Sequence, residues 1–111
     1  MAEGVRRAAI ARLNDHLRIT GEDGCIFIAA GVAALPVATR DAVIGAVRMF
    51  DAFNSENDPH GEHDCAALSV GGENIIWKID YYPRDRSIAD VDAANPVTTK
   101  RVLTIMLAEE Y

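Results

Sequence analysis

The chain has 111 residues, enough for one hydrophobic core and too few for two. Half of them are apolar, a quarter are charged and the mean hydropathy is +0.02, a balance that excludes a disordered tail. Seventeen acids against eleven bases leave a net charge of −6 and a pI near 4.9, which excludes bulk electrostatic attraction to nucleic-acid phosphates as a mode of binding.

From Glu3 to Ile19, Val5, Ala9, Leu13 and Leu17 recur at every fourth position. That spacing predicts an amphipathic helix with Arg6, Arg7, Arg12 and Arg18 on its solvated side. Gly21 to Gly24 ends it, and the apolar run Cys25 to Ala30 reads as a strand covered on both faces and central in its sheet. Beyond Pro36, Val43, Ile44, Val47 and Phe50 have helical spacing, predicting a second helix over 37–53. Asn54 to His60 holds only turn-forming and polar residues and is expected to be a loop.

Residues 62–70 and 73–82 flank Gly71-Gly72, the signal of a tight β-hairpin. With both glycines in the turn, Ala66, Leu68, Val70, Ile75, Trp77, Ile79 and Tyr81 share a core face. Trp77 is a core anchor in that register. On the other face Cys65 lies opposite Lys78, and His63 opposite Asp80. Residues 83–95 are polar and expected to be irregular. Asn95 as a cap, Pro96 at the first turn and the run Val102 to Leu107 predict a final, largely buried helix. The expectation is a single domain over residues 1–111, α+β in class and α-β-α-β-β-α in order. Its sheet has about three strands, with the helices packed mainly on one face.

No apolar run reaches the roughly eighteen residues of a membrane-spanning helix, and no basic-then-apolar signal opens the chain. A cytoplasmic protein with no membrane partner is expected. Cys25 and Cys65 form neither a disulfide framework nor a paired zinc motif.

Charge is uneven along the chain. Residues 21–64 hold eight acids and two bases, whereas the first twenty hold four bases and two acids. Between Asp51 and Asp64 lie five acids, two histidines and no Lys or Arg. His60-Gly-Glu62-His63-Asp64 is the densest group of potential metal ligands, mixing imidazole with carboxylate. Its spacing matches neither the helical His-Glu-x-x-His zinc motif nor an EF-hand, and no Pro-Cys-x-x-Cys follows to complete a deaminase signature. The bland alternative is a structural turn, begun by Asp58 before Pro59 and relaxed by Gly61. A Cys65 nucleophile aided by His63 and Lys78 is chemically sensible, although a cysteine is more often a small buried hydrophobe. Phosphate-cradling glycine loops and the Gly-x-Ser-x-Gly elbow are absent, so no cofactor is implied.

Three segments together, Asn57 to Asp64, Trp77 to Tyr82 and Arg101 to Tyr111, resemble a family of small alphaproteobacterial proteins described only as a domain of unknown function. The resemblance covers nearly the whole chain, from Arg12-Leu-Asn-Asp15 onward. It implies no chemistry, but it does imply a setting, because members are often encoded on plasmids and integrated elements beside anti-restriction and partition genes. The family pattern has Phe where this chain has Cys65, which implies that a thiol is not what the motif serves.

The leading expectation is therefore a non-enzymatic binding or regulatory protein of a mobile element, inhibiting a host defence or DNA-processing complex. Its partner is another protein with a basic surface, not nucleic acid, and its binding residues are Asp58, His60, Glu62, His63, Asp64, Lys78, Asp80, Tyr82 and Arg84. The alternative is a small metal-dependent hydrolase or nuclease built on His60, Glu62, His63, Asp64 and Asp80. A third reading is a homodimer whose partner edge supplies a further strand.

Overall fold

The computed structural model describes residues 2–111. Helix α1, Glu3–Thr20, ends at Gly21, whose left-handed φ of 77° lets its N–H return to the Leu17 carbonyl at 2.7 Å. The buried side of α1 is Ile10, Ala11, Asn14, Leu17 and Arg18, while Val5 is 60 % exposed. The four-residue series did not mark this face, for a geometric reason. At 3.6 residues per turn, twelve residues taken in steps of four drift by roughly 120° around the helix.

Strand β1 (Cys25–Ile28) and the short helix α2 (Ala30–Ala33) precede helix α3 (Val37–Arg48). Strands β2 (Cys65–Val70), β3 (Glu73–Pro83) and β4 (Thr99–Leu107) complete a four-stranded sheet of order β1-β4-β3-β2. β1 runs parallel to β4, and the other neighbours are antiparallel. A single 3₁₀ turn, Ala108–Glu110, follows β4. The fold is α+β, with corrections to the expected elements.

The largest correction is at the end of the chain, where a strand replaces the expected helix. Thr99, Arg101, Leu103 and Ile105 are buried on one side of β4, and Lys100, Val102 and Thr104 alternate on the other. β4 lies between two neighbours, so both of its sides carry apolar residues, and a short apolar run on both sides looks alike in a helix or a strand. β-branched Thr99, Val102, Thr104 and Ile105 favour the extended form. The capping interaction of Asn95 does form, its side-chain oxygen accepting from the Val97 N–H at 3.0 Å, but it closes a turn before the strand.

The apolar run at β1 is likewise not central. It is an edge strand, with Ile26 40 % and Phe27 59 % exposed. α3 stops at Arg48 rather than Phe53, and Phe50 and Phe53 pack from the following loop.

In the hairpin, Val70 pairs with Glu73 and Cys65 with Lys78, and Gly71 (φ 58°) and Gly72 (φ 83°) supply the two left-handed residues that a tight, twist-matched turn requires. The ladder is shorter than expected at its open end. It begins at Cys65, and His63, at φ 53°, has turned out of it, so the His63–Asp80 pair does not form.

All three helices cover one face. Leu17, Val32, Val43 and Val47 pack on Ala66, Ile75, Trp77, Ile79, Leu103 and Ile105, with Trp77 fully buried at the centre. Among the described residues, no α-helix packs on the opposite face of the sheet.

Candidate functional site

The expected site residues divide between the two sides of the sheet. Asp58 is buried and organises its own loop: one carboxylate oxygen accepts the N–H groups of Glu62 and His63 at 3.2 Å each. Gly61, at φ 68°, donates to the Asp58 carbonyl. The ring of His63 stacks on Phe53, with centroids 3.9 Å apart, and its Nδ1 lies 2.9 and 3.0 Å from the two carboxylate oxygens of Asp15. An ionised carboxylate only accepts, so Nδ1 carries the proton. Nε2 faces the other acid, Asp58 Oδ2, at 3.6 Å. Both ring nitrogens thus point at carboxylates of the fold, and His63 fastens the loop to α1 instead of offering a free base.

His60 is exposed and Glu62 half-buried, while Asp64 and Asp80 lie toward the uncovered face. Among the described residues no three His, Cys, Asp or Glu side chains converge as a metal site. His60, Glu62, His63, Asp64 and Asp80, the five residues of the hydrolase reading, form no such group in this geometry.

Several residues that hold this region escaped the sequence reading. Arg18, assigned to the solvated side, is 2 % exposed. Its Nη1 donates to the carbonyls of Val47, Arg48 and Phe50 at 2.8–3.1 Å, capping the end of α3, and its Nη2 donates to Asp15 at 3.0 Å. Its guanidinium also lies over the rings of Phe53 and Trp77. Asn14, fully buried, donates to the Glu62 carbonyl at 3.0 Å and to the Tyr81 hydroxyl at 2.8 Å, and accepts from Arg101 Nε at 2.8 Å. The available signal was the polar residue Asn14 standing between Ile10 and Leu17 on a true helical stripe.

The uncovered face of the sheet brings together Cys65, Lys78, Asp80 and Tyr82 with Phe27, Ile76, Val102, Thr104 and Met106. Tyr111 lies between two shallow hollows of about 430 and 510 Å³, and both hollows share Lys78 and Asp80. Lys78 and Asp80 form an ion pair at the centre, each about one-third exposed. The hydrogen bond that Lys78 donates to Asp80 raises the Lys78 pKa above its ordinary value and keeps the ammonium charged. Solvent reaches the pair, so it contributes at most about 1 kcal/mol to stability. Burial, followed by the charges of Asp64 and Asp58, pushes the Cys65 thiol above its usual range, which is the opposite of what an activated nucleophile needs. Tyr82 is half exposed. Arg84, just beyond β3, turns away from this face and donates through Nε to the Pro96 carbonyl at 3.0 Å.

No helix among the described residues is long and apolar enough to cross a membrane. No curated protein and no solved structure matches the chain. Residues 28–110, from the end of β1 to the final turn, match the model of a family described as protein of unknown function (DUF3768), and the chain belongs to that family.

Proposed function

We propose that the chain is a non-enzymatic binding protein that engages another protein through the uncovered face of its sheet. The observation that carries this reading is the exposure of that face, with Phe27 59 % and Tyr82 50 % accessible around a central ion pair, while every helix packs on the other side. An apolar patch rimmed by polar groups is the usual composition of a protein-binding surface, and tyrosine is favoured at its energetic centre. Asp64, Asp80 and Glu110 outnumber Lys78 around the two hollows, so the complementary partner is basic. The resemblance to proteins encoded on mobile elements supports a host defence or DNA-processing complex as that partner, its basic nucleic-acid groove occupied by the acidic face.

Affinity capture from host cytoplasm with three forms of the protein tests this. The wild type and the helix-side control Val5→Asp recover the same basic protein at about 50 mM salt, where charges are weakly screened. The double variant Phe27→Asp, Tyr82→Ala recovers at least tenfold less of it. Recovery of that protein by the double variant, or of no basic protein by the wild type, overturns the reading. All three substituted positions are exposed, so each single change shifts stability by only about 0.5 kcal/mol and folding does not confound the outcome.

A further inference from the structure

A second, smaller site lies on the helix side of the sheet. Beside the segment that joins β3 to β4, a partly open cavity of about 290 Å³ is lined by His16 of α1, Asp23, Arg84, Pro96, Thr99 and Arg101. It has room for several waters, each needing about 30 Å³, or for one multi-oxygen anion.

Arg101 is 3 % exposed. Its Nε donates to Asn14 and its Nη2 to the Ala93 carbonyl, but Nη1 finds no acceptor among the described residues. Its guanidinium lies 5.3 Å from the centre of the Tyr81 ring, a contact that offsets charge only weakly. Arg84 spends Nε on the Pro96 carbonyl and leaves both terminal nitrogens unengaged. Neither guanidinium has a carboxylate at salt-bridge distance among the described residues. The acids nearby are committed elsewhere: Asp23 accepts from His16 Nε2 at 3.0 Å, and Asp92 accepts from Arg6 at 2.8 Å and from the Ala94 N–H at 3.0 Å.

A buried guanidinium ordinarily meets a carboxylate, because desolvation without a counter-charge is expensive. Here two guanidinium groups border one cavity in a protein of net charge −6, and the acids that could neutralise them are used by other groups. Desolvation, the largest cause, together with the neighbouring Arg84 charge weakens the hold of Arg101 on its proton and outweighs the opposing influence of Tyr81 and Asp92.

We infer that the Arg84–Arg101 cavity is a binding site for a phosphate group, the dianion whose charge and several oxygens match the free terminal edge of Arg84 together with the free Nη1 of Arg101. A carboxylate, planar and singly charged, would satisfy one guanidinium and leave the other. The site is separate from the uncovered face and stands or falls independently of the function proposed for it.

Thermal unfolding of the full chain, at constant ionic strength set with chloride, tests the inference with inorganic phosphate and glycerol phosphate as probes. Phosphate at tenfold excess over its Kd raises Tm by about 5 °C relative to chloride. Arg84→Gln, at an exposed position that leaves the fold intact by circular dichroism, weakens binding at least tenfold. Arg101→Lys, which keeps the charge but loses the fork, weakens it as well. A response to both probes supports a phosphate monoester as the natural ligand, and a response to inorganic phosphate alone supports the free ion. A rise no larger than that in chloride, or one that Arg84→Gln leaves intact, overturns the assignment.

Discussion

Arg18 and Arg101 are both buried, at 2 % and 3 % exposure, yet they sit in opposite electrostatic conditions. Arg18 has three carbonyls on one nitrogen, the Asp15 carboxylate on another and two aromatic rings, Phe53 and Trp77, against its guanidinium. Arg101 has an amide oxygen and one carbonyl, a single aromatic ring, and a second guanidinium across a cavity. The difference teaches that burial of a charge does not by itself reveal its purpose. A guanidinium whose terminal nitrogens are spent on carbonyls and a carboxylate is a structural clasp, even with its Nε left without a partner as in Arg18, and one with a free terminal nitrogen beside a cavity is open to a ligand.

The largest expected effect breaks the clasp. Arg18→Met leaves the carbonyls at the end of α3 without their donor and Asp15 with His63 alone, and destabilises the protein by about 3–5 kcal/mol, read from urea unfolding. Arg101→Met, measured in chloride buffer, destabilises by about 1–3 kcal/mol, because the lost bonds to Asn14 and Ala93 are partly offset by removal of an unpaired charge. If Arg101→Met proves as damaging as Arg18→Met, the contrast between the two arginines fails.

Tyr81 sharpens the comparison from the Arg101 side. Burial is the main cause that raises its phenol pKa above the ordinary value of 10.0, with the Asn14 hydrogen bond and the Arg101 charge acting against it. A pKa higher in the folded state than in the unfolded one contributes stability that is complete below about pH 10 and is lost as pH rises through the folded value. Tm should therefore fall above pH 10 in the wild type. Tyr81→Phe makes that alkaline limb shallower, leaving the part owed to Lys78 and Cys65, while costing about 1 kcal/mol at neutral pH through the lost Asn14 bond. An unchanged alkaline limb in Tyr81→Phe would mean that the other groups account for all of it.

The two faces of the sheet differ in the same sense as the two arginines. On the helix side, Trp77, Ile75, Leu103 and Ile105 fill their space with the apolar faces of α1, α2 and α3. On the other side, Phe27, Ile76, Val102 and Met106 meet a paired lysine and aspartate and two hollows bordered by Glu110 and Tyr111 from the final turn.

What could be read from the chain followed the range of the interactions involved. Gly71-Gly72 demands left-handed backbone at two consecutive positions, so the turn, and with it the pairing of Cys65 with Lys78 and the inward set around Trp77, was visible in the sequence. The turn at Asp58 to Gly61 was visible for the same reason: its bonds span five residues or fewer. The role of Arg18 was not, because its acceptors lie 29 to 32 residues away at the end of another helix. Nor was the meeting of His63 with Asp15, 48 residues apart, which turned a candidate ligand into a fastener. The His60 to Asp64 motif looked like one cluster in the sequence because adjacency in a chain is not convergence of side chains.

The negative charge that excluded bulk attraction to nucleic acid was determined by composition alone, and the hairpin with its inward set around Trp77 by local sequence order. Only the tertiary structure decided that residues 99–107 form a strand, since an apolar run satisfies either backbone until its neighbours supply hydrogen bonds. It alone left Phe27 in the open, because a strand's cover depends on where helices far along the chain come to rest. And it alone brought Arg84 and Arg101 to one cavity in an acidic protein, because charge summed over a sequence says nothing of where two like charges meet.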